Sequence, residues 1–133
     1  MRILLDTHIA LWAVAGSRRL SRKSQQFILD ADEVHVSAAT LWEIAIKHAL
    51  GRGDMPVSSA QALQAFRDAG YALLAVKPEH AVRVEELPAI HSDPFDRILV
   101  AQARFEPMTL MSSDRLVGQY GAGVMLVEPH PPV

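Results

Sequence analysis

Cysteine is missing from all 133 residues. That removes disulfides and thiolate metal sites, and makes a reducing cytoplasm the expected setting. Long apolar runs are missing too. The stretch from Arg2-Ile3-Leu4-Leu5 to Ala15-Gly16 imitates a signal peptide, but Asp6 and His8 interrupt it and leave a run too short to span a bilayer. Targeting and membrane roles are therefore not expected. There is no excess of basic charge: the formal net charge is −2, so any nucleic acid must be held by a local patch rather than by the field of the whole molecule. Repeats, low-complexity blocks and internal linkers are absent from the sequence as well.

What is present describes a globular domain. Half of the residues (50%) are hydrophobic and 21% are charged, and a chain of this size buries roughly two-thirds of its unfolded surface. One domain over residues 1–133 is expected, with a loose Pro-rich tail from about residue 128. Short apolar runs at 2–5, 33–36, 71–76, 108–111 and 124–127 read as strands. Between them fall helical patterns at 7–15, 21–31, 38–50, 58–69, 78–87 and 93–105, with a helical turn after Ser112-Ser113-Asp114. In the second helix Leu20, Ser24, Phe27, Ile28 and Ala31 share a face, and in the fourth Ala62, Leu63, Phe66 and Ala69 point inward. Strands alternating with helices predict an α/β fold, a three-layer α/β/α sandwich around a mainly parallel sheet of four to five short strands.

Acids then fall at the carboxyl ends of those strands, where open parallel sheets bind ligands. Asp6 directly follows the first strand and Asp114 comes three residues after the fourth. Each also fits a helix cap or turn. Glu43 lies in Ala38-Ala39-Thr40-Leu41-Trp42-Glu43-Ile44-Ala45-Ile46, which is apolar nearly all round and expected to be largely buried. A carboxylate there needs a partner or a metal, or pairs with Lys47 one turn on. In His91-Ser92-Asp93-Pro94-Phe95-Asp96-Arg97, Asp93-Pro94 reads as a helix start, and Asp96 is either the capping-box acid or a ligand aimed at the same edge.

Carboxylates gathered at one edge repel each other, and a divalent hard cation such as Mg²⁺ compensates them. Acids of this kind, with no nucleophilic Ser or Cys motif, fit metal-assisted hydrolysis of phosphodiesters by an activated water. Arg97 and Arg115, each beside an acid, are candidate phosphate contacts, and Arg18-Arg19 with Arg22-Lys23 forms a basic cluster. The six histidines show neither i, i+4 pairing nor zinc-type spacing. His8 and His91 are expected near the acids, with no ligand role assigned to either.

Four blocks together carry a resemblance: Leu4-Leu5-Asp6-Thr7-His8, Ser37 to Lys47, His91 to Ala103, and Ser112-Ser113-Asp114. In this order they resemble the PIN-domain ribonucleases, and more narrowly the VapC-type toxins of type II toxin–antitoxin pairs. The resemblance implies an endoribonuclease dependent on Mg²⁺, for which Mn²⁺ substitutes, kept inactive by a cognate antitoxin and forming a homodimer or larger toxin–antitoxin assembly. It maps the acidic cluster onto Asp6, Glu43, Asp96 and Asp114. Asp6 and Asp96 would coordinate metal directly, and Glu43 and Asp114 would complete the pocket, in part through water. Thr7, Asp93, Arg97, Ser112 and Arg115 would stand in support or contact RNA; Asp93 stays mainly a cap, and Ser112 replaces the threonine of many relatives.

Two other readings compete. A PIN-like protein-interaction module without catalysis would keep the fold and lose acids, yet all four are present. An aspartate-dependent phosphatase wants a second acid two residues after Asp6, where this chain has His8, and a lysine after the fourth strand. A phospho-receiver wants an acid after the third strand, where Val76-Lys77 stands.

Overall fold

The five apolar runs assemble into one parallel sheet in the computed structural model, which describes residues 1–53 and 55–129. In chain order the elements are β1 (Arg2–Leu5), α1 (Thr7–Ala15), α2 (Arg22–Asp30), β2 (Glu33–Ser37), α3 (Ala38–Ala49), α4 (Ser59–Asp68), β3 (Ala72–Leu74), α5 (Pro78–Arg83), a 3₁₀ turn (Val84–Glu86), α6 (Pro94–Phe105), β4 (Thr109–Ser112), α7 (Arg115–Gly118) and β5 (Val124–Leu126). The strand order is β3-β2-β1-β4-β5. The chain thus builds outward from β1 in one direction, then crosses back to place β4 on its other side. The split between β1 and β4 is a topological switch point, the crevice in which such sheets bind ligands.

Side-chain alternation along the strands divides the core. Ile3 and Leu5 of β1, Val36 of β2 and Met111 of β4 face one layer with Ile9, Ile28, Ile44 and Phe66 from α1 to α4. Leu4 and Leu110 face the other, with Leu99, Val100 and Ala103 of α6 and Val117 of α7. Both faces are covered, as a parallel sheet requires. Helix ends are set locally. Ser21, Ser58 and Asp93 cap α2, α4 and α6 through their side-chain oxygens. Gly16 closes α1 in the left-handed conformation (φ 62°) that an L side chain resists.

The register fixes where the acids must lie. Leu5 pairs with Met111 of β4 and with Val36 of β2, and the Asp6 amide donates to the Met111 carbonyl at 3.0 Å. Asp6, Ser37 and Ser112 therefore stand together along one carboxyl edge.

Several expectations need correction. α3 is not buried all round: Trp42 is 63% exposed, Ile46 38% and Leu50 73%, because one sheet face covers only one side of the helix. Ala69 caps α4 and is exposed, while Ala62 and Phe66 are buried. β3 spans Ala72–Leu74 only: the Tyr71 amide is spent closing α4 on Phe66, and the Ala75 carbonyl accepts from Gln102. The helix begun by Pro78 stops at Arg83 and tightens into the 3₁₀ turn. β4 runs one residue later than expected, to Ser112. Most of the expected loose tail, residues 130–133, lies outside the described residues. Among the described residues, no helix is long and apolar enough to cross a membrane.

Candidate active site

Asp6 caps α1 from the end of β1. Its Oδ1 accepts from the Ile9 amide at 2.9 Å, and its Oδ2 accepts from the Ser112 hydroxyl at 2.6 Å. Burial, at 6% exposure, raises its carboxyl above the ordinary range, and the bonds from Ser112 and Ile9 pull it part of the way back. Ser112 also accepts from the Asp114 amide at 3.0 Å, so one buried hydroxyl ties Asp6 to the Asp114 backbone.

Thr7, the first residue of α1, donates to Glu43 Oε1 at 2.6 Å, with the Thr40 hydroxyl 3.1 Å from its own. The other Glu43 oxygen meets Lys47 Nζ at 2.5 Å. Glu43 is buried as expected and ion-paired with Lys47 one helical turn on, but the pair lies inward rather than near the surface. It enters the site with its charge already balanced.

Asp93 caps α6, its Oδ1 accepting from the Phe95 amide at 2.8 Å and the Asp96 amide at 3.2 Å. Asp96, one step inside, meets His91 Nε2 at 3.1 Å through Oδ2. Its carboxyl is pushed up to about 7 by burial first, then by the charges of Asp93, Asp6 and Asp114, with His91 pulling the other way. Asp114 caps α7 with Oδ1, accepting from Leu116 at 2.8 Å, and offers Oδ2 to His91 Nε2 at 3.0 Å. Burial works to raise the Asp114 carboxyl as well, but the His91 bond and the Leu116 and Val117 amides outweigh it and hold the group below its usual range.

The tightest grouping of metal-competent atoms among the described residues is His91, Asp96 and Asp114, with one atom from each lying within 4.8 Å of the others. Asp6 stands outside that grouping but close enough to raise Asp96. Of the residues expected in support, Thr7, Asp93 and Ser112 touch the acids directly. Arg115 is exposed beside Asp114 and paired loosely with Glu128 at 3.8 Å. Arg97 has a different occupation. Its guanidinium donates to the carbonyls of Val84, Pro88 and His91 and to the Tyr120 hydroxyl, between 3.0 and 3.3 Å. It holds the loop that carries His91. In the basic cluster, Arg19 lies over the Trp12 ring at 5.0 Å.

The sequence reading missed one working residue, Thr40, and put His91 near the acids without giving it a role. Thr40 gave no signal beyond its place one turn before Glu43. His91 did give one, standing two residues before the helix-starting Asp93, where a side chain turns back onto the first turn.

A model of the PIN domain matches residues 3–121, and the chain belongs to the PIN-domain family, among its VapC-type ribonucleases. It is 31% identical over 114 residues to Ribonuclease VapC22 of Mycobacterium tuberculosis, an alignment covering 85% of this chain and 87% of that protein. Among solved structures the fold matches VapBC2 from Rickettsia felis bound to a promoter DNA fragment, with a TM-score of 0.70 at 13% identity, covering 98% of this chain and 100% of that one. It also matches Mycobacterium tuberculosis VapC20, described as a sarcin–ricin loop cleaving toxin, with a TM-score of 0.64 at 17% identity, covering 96% and 99%. At these identities the two structures speak for the fold alone.

Proposed function

We propose that this protein is an endoribonuclease that uses a divalent cation, Mg²⁺ with Mn²⁺ able to replace it, to hydrolyse RNA phosphodiester bonds, and that it is the toxin of a type II toxin–antitoxin pair. The observation that carries the proposal is Asp96. A carboxyl driven to about 7 by burial and by three neighbouring acids is a site whose negative charge the fold compensates only in part, through His91. Beside the His91 ring nitrogen, the groups that face it are the carboxylates of Asp6 and Asp114, and oxygen donors suit a hard cation keeping several of its waters.

Asp96, Asp6 and Asp114 are the residues that would hold the ion. A cation bound among them supplies Lewis acidity, lowering the pKa of a water and countering charge on the phosphoryl oxygens. The rest is the work of the chain. Ser112 and the Ile9 amide hold Asp6 in one orientation, and the α6 cap sets Asp96 one turn inside the helix. Glu43, its charge matched by Lys47, fixes Thr7 next to Asp6. Exposed Arg115 is placed for a phosphate of the bound strand.

The curated relative is a ribonuclease by name, and solved neighbours include a toxin–antitoxin complex from Klebsiella pneumoniae; by that likeness a cognate antitoxin partners this chain, in a homodimer or larger assembly. With no cysteine and a charge near neutrality, the cytoplasm is the setting we propose. The test is purified protein on total RNA, with Mg²⁺ or EDTA, beside Asp6→Asn and Asp96→Asn. Cleavage requiring Mg²⁺ and lost in both variants is expected; cleavage that survives EDTA or both substitutions overturns the metal-nuclease reading. Growth arrest on induction, abolished by Asp96→Asn, is the expected sign of the toxin role, and unaffected growth counts against it.

A further inference from the structure

His91 sits where a third metal ligand would, with Nε2 3.0 Å from Asp114 Oδ2 and 3.1 Å from Asp96 Oδ2. Its other ring nitrogen decides what it can be. Nδ1 accepts the Asp93 backbone amide at 3.1 Å. A backbone N–H has no second protonation state, so it is always a donor and Nδ1 must present a lone pair to it. In a neutral imidazole the proton then resides on Nε2. The nitrogen facing the two carboxylates carries a hydrogen, and has no lone pair left to give a metal.

We infer that His91 is a positioning residue, an N–H donor that holds Asp114 in place beside Asp96 and leaves metal binding to the carboxylate oxygens. The inference deepens the reading given under Proposed function and rests on it for the identity of the site. Three further contacts fix the backbone that carries the ring. The His91 amide donates to the Tyr120 hydroxyl at 3.1 Å, its carbonyl accepts from Arg97 at 3.3 Å, and the same Arg97 nitrogen reaches the Tyr120 hydroxyl at 3.2 Å. A ring flip would set a carbon against the Asp93 amide and leave that amide without its acceptor. The backbone that starts α6 therefore also chooses the tautomer of the residue before it.

Two measurements test this without reading activity. In the ¹⁵N-labelled, metal-free protein, long-range proton–nitrogen correlation should show His91 Nε2 as the protonated, pyrrole-type nitrogen and Nδ1 as the pyridine-type one. The opposite assignment overturns the inference whether or not the protein proves to be a nuclease. The second is Mn²⁺ binding followed by electron paramagnetic resonance in wild type, His91→Gln and His91→Asn. The Gln amide nitrogen reaches about as far as Nε2 and keeps the donor, whereas Asn reaches only as far as Nδ1. His91→Asn should bind Mn²⁺ on the order of 10-fold or more weakly, the usual cost of losing a partner that orients ligands, and His91→Gln should stay near wild type. Equal binding by all three, loss in Gln as deep as in Asn, or a directly bound imidazole nitrogen in the Mn²⁺ spectrum of wild type each overturns it. Absence of Mn²⁺ binding by wild type refutes the metal site itself, and the tautomer measurement still decides what His91 does.

Discussion

Ser112 donates its hydroxyl hydrogen to Asp6 Oδ2 at 2.6 Å, joining residues 106 positions apart. The same oxygen receives the Asp114 amide, so a single side chain of β4 governs the acids on both sides of the switch point. Removing it leaves a fully buried carboxylate oxygen and a backbone amide without their partner. Ser112→Ala should cost about 1–3 kcal/mol in urea unfolding and lower RNA cleavage by roughly tenfold or more, in line with the loss of other groups that orient ligands. Unchanged stability and rate would show that Asp6 needs no such support.

Asp96→Asn should separate chemistry from stability. Cleavage is expected to vanish while the melting temperature of the metal-free protein rises, because the amide removes a charge that the fold disfavours. Added Mg²⁺ should narrow the gap, since a ligand that binds only the native wild type stabilises it by mass action. Asp6→Asn should gain less, because Asp6 also caps α1 and receives Ser112. A lower melting temperature for Asp96→Asn would make that acid a structural group.

The pH dependence has a definite sign. Asp96 titrates at about 7 when folded against 3.8 ordinarily. Between those values the folded protein keeps a proton that the unfolded chain has released. Metal-free stability should therefore fall as pH rises from about 4 to about 7, by up to about 4 kcal/mol from this group. Asp114, whose carboxyl is held below its usual range, works oppositely, and its contribution fades only in strong acid. Chemical unfolding across pH 4 to 8 in EDTA, in wild type and Asp96→Asn, checks this; equal slopes for the two proteins exclude Asp96 as the source.

Lys47→Met should be costly, because it strands Glu43 at 5% exposure without its cation. Roughly 3 kcal/mol is expected, the usual penalty for breaking a buried pair from one side. Pairing it with Glu43→Gln should recover much of that loss. The double-mutant cycle, read by thermal unfolding, gives the coupling energy directly, and a coupling near zero would place the pair in solvent.

Arg97→Ala should release the loop before α6. Amides of residues 84–91 are expected to exchange faster with solvent, and stability to fall by about 1–3 kcal/mol. The salt dependence of RNA binding should hardly change, because this guanidinium is occupied by carbonyls. A salt slope that drops by about one would instead assign it a phosphate.

Residues whose local chemistry coincides with their final role were readable from the chain. Asp93-Pro94 announces a cap, and the cap is there. The continuous apolar run Ile3-Leu4-Leu5 announces a buried strand, and it lies between two cores. Asp6, Asp96 and Asp114 were legible as strand-end and helix-start acids. What was hidden depends on through-space partners. The burial of Glu43 beside an exposed Trp42 follows from how α3 lies on the sheet, and apolar composition alone says nothing of that angle. Arg97 reads as a free cation beside an acid until the carbonyls of a loop 6 to 13 residues earlier fold onto it. His91 becomes informative only when the Asp93 amide is seen to claim one of its nitrogens.

The strand order has a consequence for when this enzyme comes into being. β1, β2 and β3 are neighbours in sequence and in the sheet, so the amino-terminal half can begin to pair while the chain is still being made. Ser112 and Asp114, on the far side of β1, are made more than a hundred residues after Asp6. Until they arrive Asp6 has no hydroxyl to orient it and Asp96 lacks the carboxylate of Asp114. A nascent chain that has not yet made β4 therefore carries β1 to β3 with an acidic edge that still lacks Ser112 and Asp114.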